Sequence, residues 1–133
     1  MIHVRGNDRK KVVTLNDSIL DTIKQLMGIT VDYEHFDSQL ITHINSVLMI
    51  LTQLGVGPPD GFIIHDRTDT WSEFLTTDKN LELVKSYIHL KVKLLFDPPL
   101  SSVVTDCLTR MISEYEWRLN TEVEYNKEVS QNG

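Results

Sequence analysis

His65-Asp66-Arg67 sets a base, an acid and a cation side by side. Such a trio can move a proton or steady a developing charge. Adjacent residues of one loop seldom aim at a single substrate atom, and no Gly-x-Ser-x-Gly nucleophile elbow accompanies them. Loop hydrogen bonds and partner contacts are therefore the expected roles. The histidines His3, His35, His43, His65 and His89 are scattered, with no His-Glu-x-x-His pattern. A metal centre needs three or four converging ligands, and nothing in the spacing supplies them. Gly55-Val56-Gly57 lacks the third glycine of a dinucleotide fingerprint and follows a helical pattern, not a strand. Asp17 and Asp21, like Glu124 and Glu128, stand at i, i+4, a spacing open to acid–base or magnesium chemistry. On a polar helix face or in a tail they read as solvated charge. No catalytic residue, cofactor or metal is expected.

The 133-residue chain carries a net charge of −6 and is 41% hydrophobic. That describes one domain with an ordinary core. Phosphate binding normally shows as a basic excess, which this chain lacks. Cys107 is the single cysteine, so an intrachain disulfide and a cysteine zinc site are excluded. No apolar run of the length of a secretory signal follows the early charges. Val47–Leu51 is far short of the ~20 apolar residues of a membrane span. The protein is expected to be made in a cytoplasm and kept or assembled there.

The elements follow from periodicity. Residues 1–15 read as a locally basic, flexible arm. A first helix spans 17–27, capped by Asn16 or Asp17 and stopped by Gly28. Its inward face is Ile19, Leu20, Ile23, Leu26 and Met27; Asp17, Asp21, Lys24 and Gln25 face water. A second helix spans about 37–54, capped by Asp37 or Ser38 and ended by Gly55. Met49 points away from its apolar stripe. Residues 55–70 form a long irregular loop, with a possible short strand at 62–64. Thr70-Trp71-Ser72-Glu73 is a capping box. Thr77 or Asp78 then caps a long helix to about Phe96, where Asp97-Pro98-Pro99 breaks it.

Ser101 or Ser102 starts a last helix over about 102–120. Its expected inward face is Val103, Val104, Cys107, Leu108, Met111, Ile112, Tyr115 and Leu119, with Trp117 at the far edge. Residues 121–133 read as an acidic, polar tail. The sum is an all-α bundle of about four helices with a long loop and flexible termini. Trp71, Met49 and Trp117 can each fill the core or anchor a protein interface, where aromatics and Met are enriched.

Phe96-Asp97-Pro98-Pro99-Leu100-Ser101-Ser102, followed by Glu114-Tyr115-Glu116-Trp117-Arg118-Leu119-Asn120, resembles the head–tail connector (adaptor) proteins of long-tailed phages. Leu54-Gly55-Val56, Thr70–Leu75 and Tyr87–Leu95 resemble the same family. The likeness covers 16–120, a helical adaptor domain between the arm at 1–15 and the tail at 121–133. It implies a non-enzymatic virion part at the head–tail interface. Such adaptors form a ring, expected to be a dodecamer, beneath the portal protein. The ring extends the DNA channel, passes DNA without reading its sequence, and meets a stopper or tail-completion protein. By this analogy the last helix and tail, with Trp117, Arg118 and Asn120, contact the portal. Met49 and Trp71 are further subunit-interface candidates. The loop, through Asp60, Phe62, His65, Asp66 and Arg67, is expected to meet neighbouring subunits, the lumen or the downstream protein. The rival reading is a small cytosolic helical module that binds and regulates one partner.

Overall fold

A computed structural model describes residues 17–77 and 79–132; the arm expected at 1–15 lies outside them. Among the described residues there are helices α1 (Ile19–Leu26), α2 (Asp37–Gln53), α3 (Trp71–Phe74), α4 (Leu81–Phe96) and α5 (Ser102–Asn132). The expectation of an all-α bundle holds. α4 is the central element and packs against α1, α2 and α5, while α1 also packs on α2. Val84, Tyr87, Ile88 and Val92 of α4 are fully buried, facing Leu40, Ile44, Val47, Leu48 and Leu51 of α2 across one core.

α1 begins at Ile19, two residues later than expected. Ser18, not Asp17, takes the N-cap, its Oγ accepting from the Asp21 amide at 3.1 Å. Asn16 lies outside the described residues. α2 starts at Asp37 without a side-chain cap bond, and α4 starts after Asn80 in the left-handed region at φ 69°, so Thr77 does not cap it; Asp78 lies outside the described residues. α5 is capped by Ser101, whose Oγ accepts from the Val104 amide at 3.3 Å. It then runs through the segment set apart as a tail, to Asn132. Gly55 explains how the extension docks. A Cβ there would approach Val123 Cγ1 to 2.8 Å, so the bare backbone lets α5 cross the end of α2. Gly57, at φ +87°, has no room for a Cβ against the ring of Phe74.

The segment 62–64 is not a strand. Ile64 is 1% exposed, and the side-chain amide of Asn45 on α2 satisfies its backbone. Asn45 Nδ2 donates to Ile64 O at 3.0 Å, and Ile64 N donates to Asn45 Oδ1 at 2.8 Å. A side chain thus supplies both bonds a neighbouring strand would give. Among the described residues the backbone pairing that does form is a single antiparallel bridge, Ser18 to Thr70. It holds the start of α3 against the start of α1 through Ile19 N to Asp69 O (3.1 Å) and Trp71 N to Asp17 O (2.9 Å).

Two charges expected in water are buried, Asp21 and Lys24, each at 1% exposure. The links on either side of α2 fold over α1 and cover them. Lys24 Nζ donates to Val31 O at 2.9 Å and Tyr33 O at 2.7 Å and pairs with Asp37 at 2.7 Å. Asp21 accepts from Arg67 Nε at 2.9 Å and Nη2 at 2.8 Å. Conversely Leu26, expected inward, is 46% exposed. Replacing Lys24 by Met keeps the bulk but strands two carbonyls and a carboxylate. A loss of about 2–4 kcal/mol is expected, read by urea unfolding. A midpoint unchanged from the parent would show that the three bonds carry no net stability.

Candidate interaction surfaces

The loop residues do separate jobs. His65 is 74% exposed, with Nδ1 3.8 Å from Asp69. Asp69 Oδ2 accepts from the amides of His65 at 2.6 Å and Asp66 at 3.3 Å, while Asp66 Oδ1 accepts from the Thr68 amide at 2.8 Å. Arg67 turns back to Asp21. The trio therefore builds its own turn and ties it to α1, and the three side chains do not converge. Asp60 is exposed at the tip. Phe62 is half-buried, its ring centroid 5.3 Å from that of Phe74. Among the described residues no group of three His, Cys, Asp or Glu is placed to hold a metal ion.

The aromatic candidates part company. Trp71 is 1% exposed and belongs to the core, so it offers no surface to a partner. Trp117 is 68% exposed and Met49 is 53% exposed. They do not form one site. Trp117 and Arg118 border a shallow depression of about 260 Å³ with Asn80, Leu83, Thr121 and Glu122. Arg118 pairs with Glu114 at 2.8 Å, and Lys79 reaches Glu122 at 2.6 Å, which raises the Lys79 pKa through hydrogen bonding and charge. Asn120 lies on another side of α5, in a depression of about 440 Å³ with Val123, Lys127 and the Gly55–Gly57 turn. Met49 and Ile63, the latter 48% exposed, border a third depression, beside Asn45.

Part of the expected inward face of α5 points to solvent. Ile112 and Leu119 are buried at 6% and 1%, and Leu108 and Tyr115 pack against the core. Val103, Val104 and Met111 are 74%, 45% and 38% exposed, and Cys107 is exposed too. The helical wheel explains the split. At ~100° per residue, Val103, Cys107 and Met111 lie well around the helix from the Leu108–Leu119 line. α4 covers that line and leaves the adjoining face open. Sequence periodicity shows how wide an apolar stripe is, but not how many neighbours cover it. Leu100 stands fully exposed just before the helix.

A groove of about 580 Å³ runs over α4 between α2 and α5. Val47, Ile50, Leu94, Leu95 and Ile112 contribute its apolar surface, and His43, Lys91 and Glu116 its polar groups. Glu116 also accepts from Tyr87 Oη at 2.6 Å. Burial, and then the bond and charge of Glu116, push the Tyr87 pKa up. His89 is lowered from its ordinary 6.5, first by burial and then by Lys93. Its folded pKa lies below the unfolded one, so protonation favours the unfolded chain. The contribution of His89 to stability is whole above pH 6.5 and shrinks as pH falls below it. His89→Gln should flatten the stability curve between about pH 6.5 and 5; an identical acid slope in the variant would refute this role.

The described residues form an all-α protein that exposes large apolar side chains on several faces. No helix among the described residues is long and apolar enough to cross a membrane. The family described as phage connector protein matches residues 19–126. The chain belongs to that family, which is one of structural proteins. The match runs beyond Asn120, in keeping with the extended α5. No curated protein and no solved structure matches the chain.

Proposed function

We propose that the chain is a head–tail connector that docks as a ring beneath the portal of the filled capsid. It extends the DNA channel and joins the head to a stopper or tail-completion protein. The family match over 19–126 carries this reading. The physical features agree with it. A ring needs subunits that meet through different faces, and this chain exposes large apolar side chains on several. A net charge of −6 fits an acidic lumen, which would repel DNA phosphate and let a genome slide through without sticking. The copy number is expected to be twelve, by analogy with such adaptors. Trp117, Arg118 and Asn120 on α5 are the portal-contact candidates, Met49 is a subunit-contact candidate, and the 55–70 loop faces neighbours, lumen or downstream protein.

The test is to mix purified portal rings from the same phage with this protein, isolate the complex by size and image it by electron microscopy. An added ring of density under the portal is expected. A protein that stays monomeric and binds neither portal rings nor DNA-filled capsids would overturn the reading and fit a small regulatory module instead.

A further inference from the structure

An apolar ridge and an apolar groove stand on different faces of this chain. The ridge is Leu100, Val103, Val104, Cys107 and Met111, all exposed. Within α5, Val103, Val104, Cys107 and Met111 share one side of the helix through spacings of three, four, seven and eight residues, and Leu100 stands just before it. The groove lies over α4, and Thr109, Ile112, Ser113 and Glu116 form its α5 wall. Those wall residues stand roughly 100–180° around α5 from Cys107 and Met111, at ~100° per residue. A chain therefore cannot seat its own ridge in its own groove.

We propose that the ridge of one copy seats in the groove of the next, head to tail. The proposal rests on the ring reading above and names the subunit contact within it. An amphipathic helix laid into an apolar groove is a common recognition mode, anchored at i, i+3, i+4 and i+7. The charges fit as well. Asp106 and Arg110 flank the ridge, and Lys91 and Glu116 line the groove. Lys91, Asp106 and Arg110 have no ion-pair partner among the described residues, so each is available to an opposite charge on a neighbour. Pairing them head to tail leaves one ridge and one groove unfilled after every addition. A closed ring fills the last pair; a reciprocal two-fold dimer, with each ridge in the other's groove, would instead stop at two copies, so crosslinking that ends at the dimer would overturn the head-to-tail contact.

The native cysteine makes the contact testable by disulfide trapping. Cys107 is on the ridge, and Ser113 is an exposed groove residue that Ser113→Cys converts with little change in size. The two positions are about 9 Å apart along α5 and on different faces, too far to bridge within one chain. The full-length variant is oxidised with diamide, alone at high concentration and bound to portal rings, and run on a non-reducing gel. A ladder well beyond the dimer is expected, abolished by adding Cys107→Ser. Glu34→Cys, exposed on the link before α2, is the control and should give no ladder.

Equal ladders from Glu34→Cys, or a parent protein that crosslinks into Cys107–Cys107 dimers at the same rate, would overturn the ridge-in-groove contact. Rings visible beneath the portal with no Ser113→Cys ladder would overturn the contact and leave the ring reading standing. A ladder without portal binding would support the contact and count against the portal reading. Neither ladder nor rings would overturn both.

Discussion

Trp71→Ala should destabilise the fold by about 3–5 kcal/mol, the usual cost of removing a buried tryptophan. Trp71 is 1% exposed and opens α3. Its Nε1 donates to Thr22 Oγ1 at 3.0 Å, and its amide donates to Asp17 O at 2.9 Å. Lys85 Nζ lies 5.7 Å from its ring centroid. The side chain therefore joins α1, the end of the long loop and the start of α4. Alanine leaves a cavity at that junction. Trp71→Phe keeps most of the ring and loses the indole bond, so it should cost about 1–2 kcal/mol, close to the value of one buried hydrogen bond. Urea unfolding followed by far-ultraviolet circular dichroism reads both. A Trp71→Ala midpoint equal to the parent's would contradict the burial, and an unaltered fold with lost portal binding would return Trp71 to the interface candidates.

Trp71 also shows where sequence reasoning stops. Local signals were legible. Thr70 and Glu73 form the capping box their spacing predicts, with Thr70 Oγ1 accepting from the Glu73 amide at 3.2 Å and Glu73 Oε1 accepting from the Thr70 amide at 2.9 Å. Gly28 ends α1 at φ +80°, and Asp97-Pro98-Pro99 ends α4 at Phe96. These rest on a few neighbouring residues and the rules of backbone geometry. The misses depended on chain segments far apart. Lys24 and Asp21 sit on the polar side of α1, and no helical wheel announces that the 28–37 and 65–69 links will fold over them. Ile64 looks like a strand residue because its partner is a side chain, Asn45, and not another strand. Leu95 is an apolar residue of α4 yet is 53% exposed, because it borders the open groove between α2 and α5. For the candidate surfaces, Trp117 and Met49 were legible as residues off the inward stripes. The α5 ridge was not, since its apolar pattern is the same whether a neighbour covers it or not.

Trp117→Ala should separate binding from stability in the opposite sense to Trp71→Ala. The ring is 68% exposed, so its loss should alter unfolding by no more than about 0.5 kcal/mol. An exposed tryptophan beside Arg118 has the composition of an interface hot spot, and truncating one costs about 2–4 kcal/mol of binding. Affinity for portal rings should then fall roughly 30- to 1,000-fold. The point substitution is a cleaner test than deleting the chain after Asn120. That deletion removes Val123, which packs over Gly55, and Glu122, which holds Lys79. A truncated chain could lose binding merely because the ends of α2 and α4 had loosened. Trp117 takes part in neither the Val123 packing on Gly55 nor the Lys79–Glu122 ion pair, so a drop in affinity at constant stability can be assigned to the surface itself. Trp117→Phe should recover part of the affinity, since it restores aromatic area without the indole N–H. Portal affinity within twofold of the parent for Trp117→Ala would move the contact off this side of α5. Attention would then pass to the depression that holds Asn120, which lies on another side of the same helix.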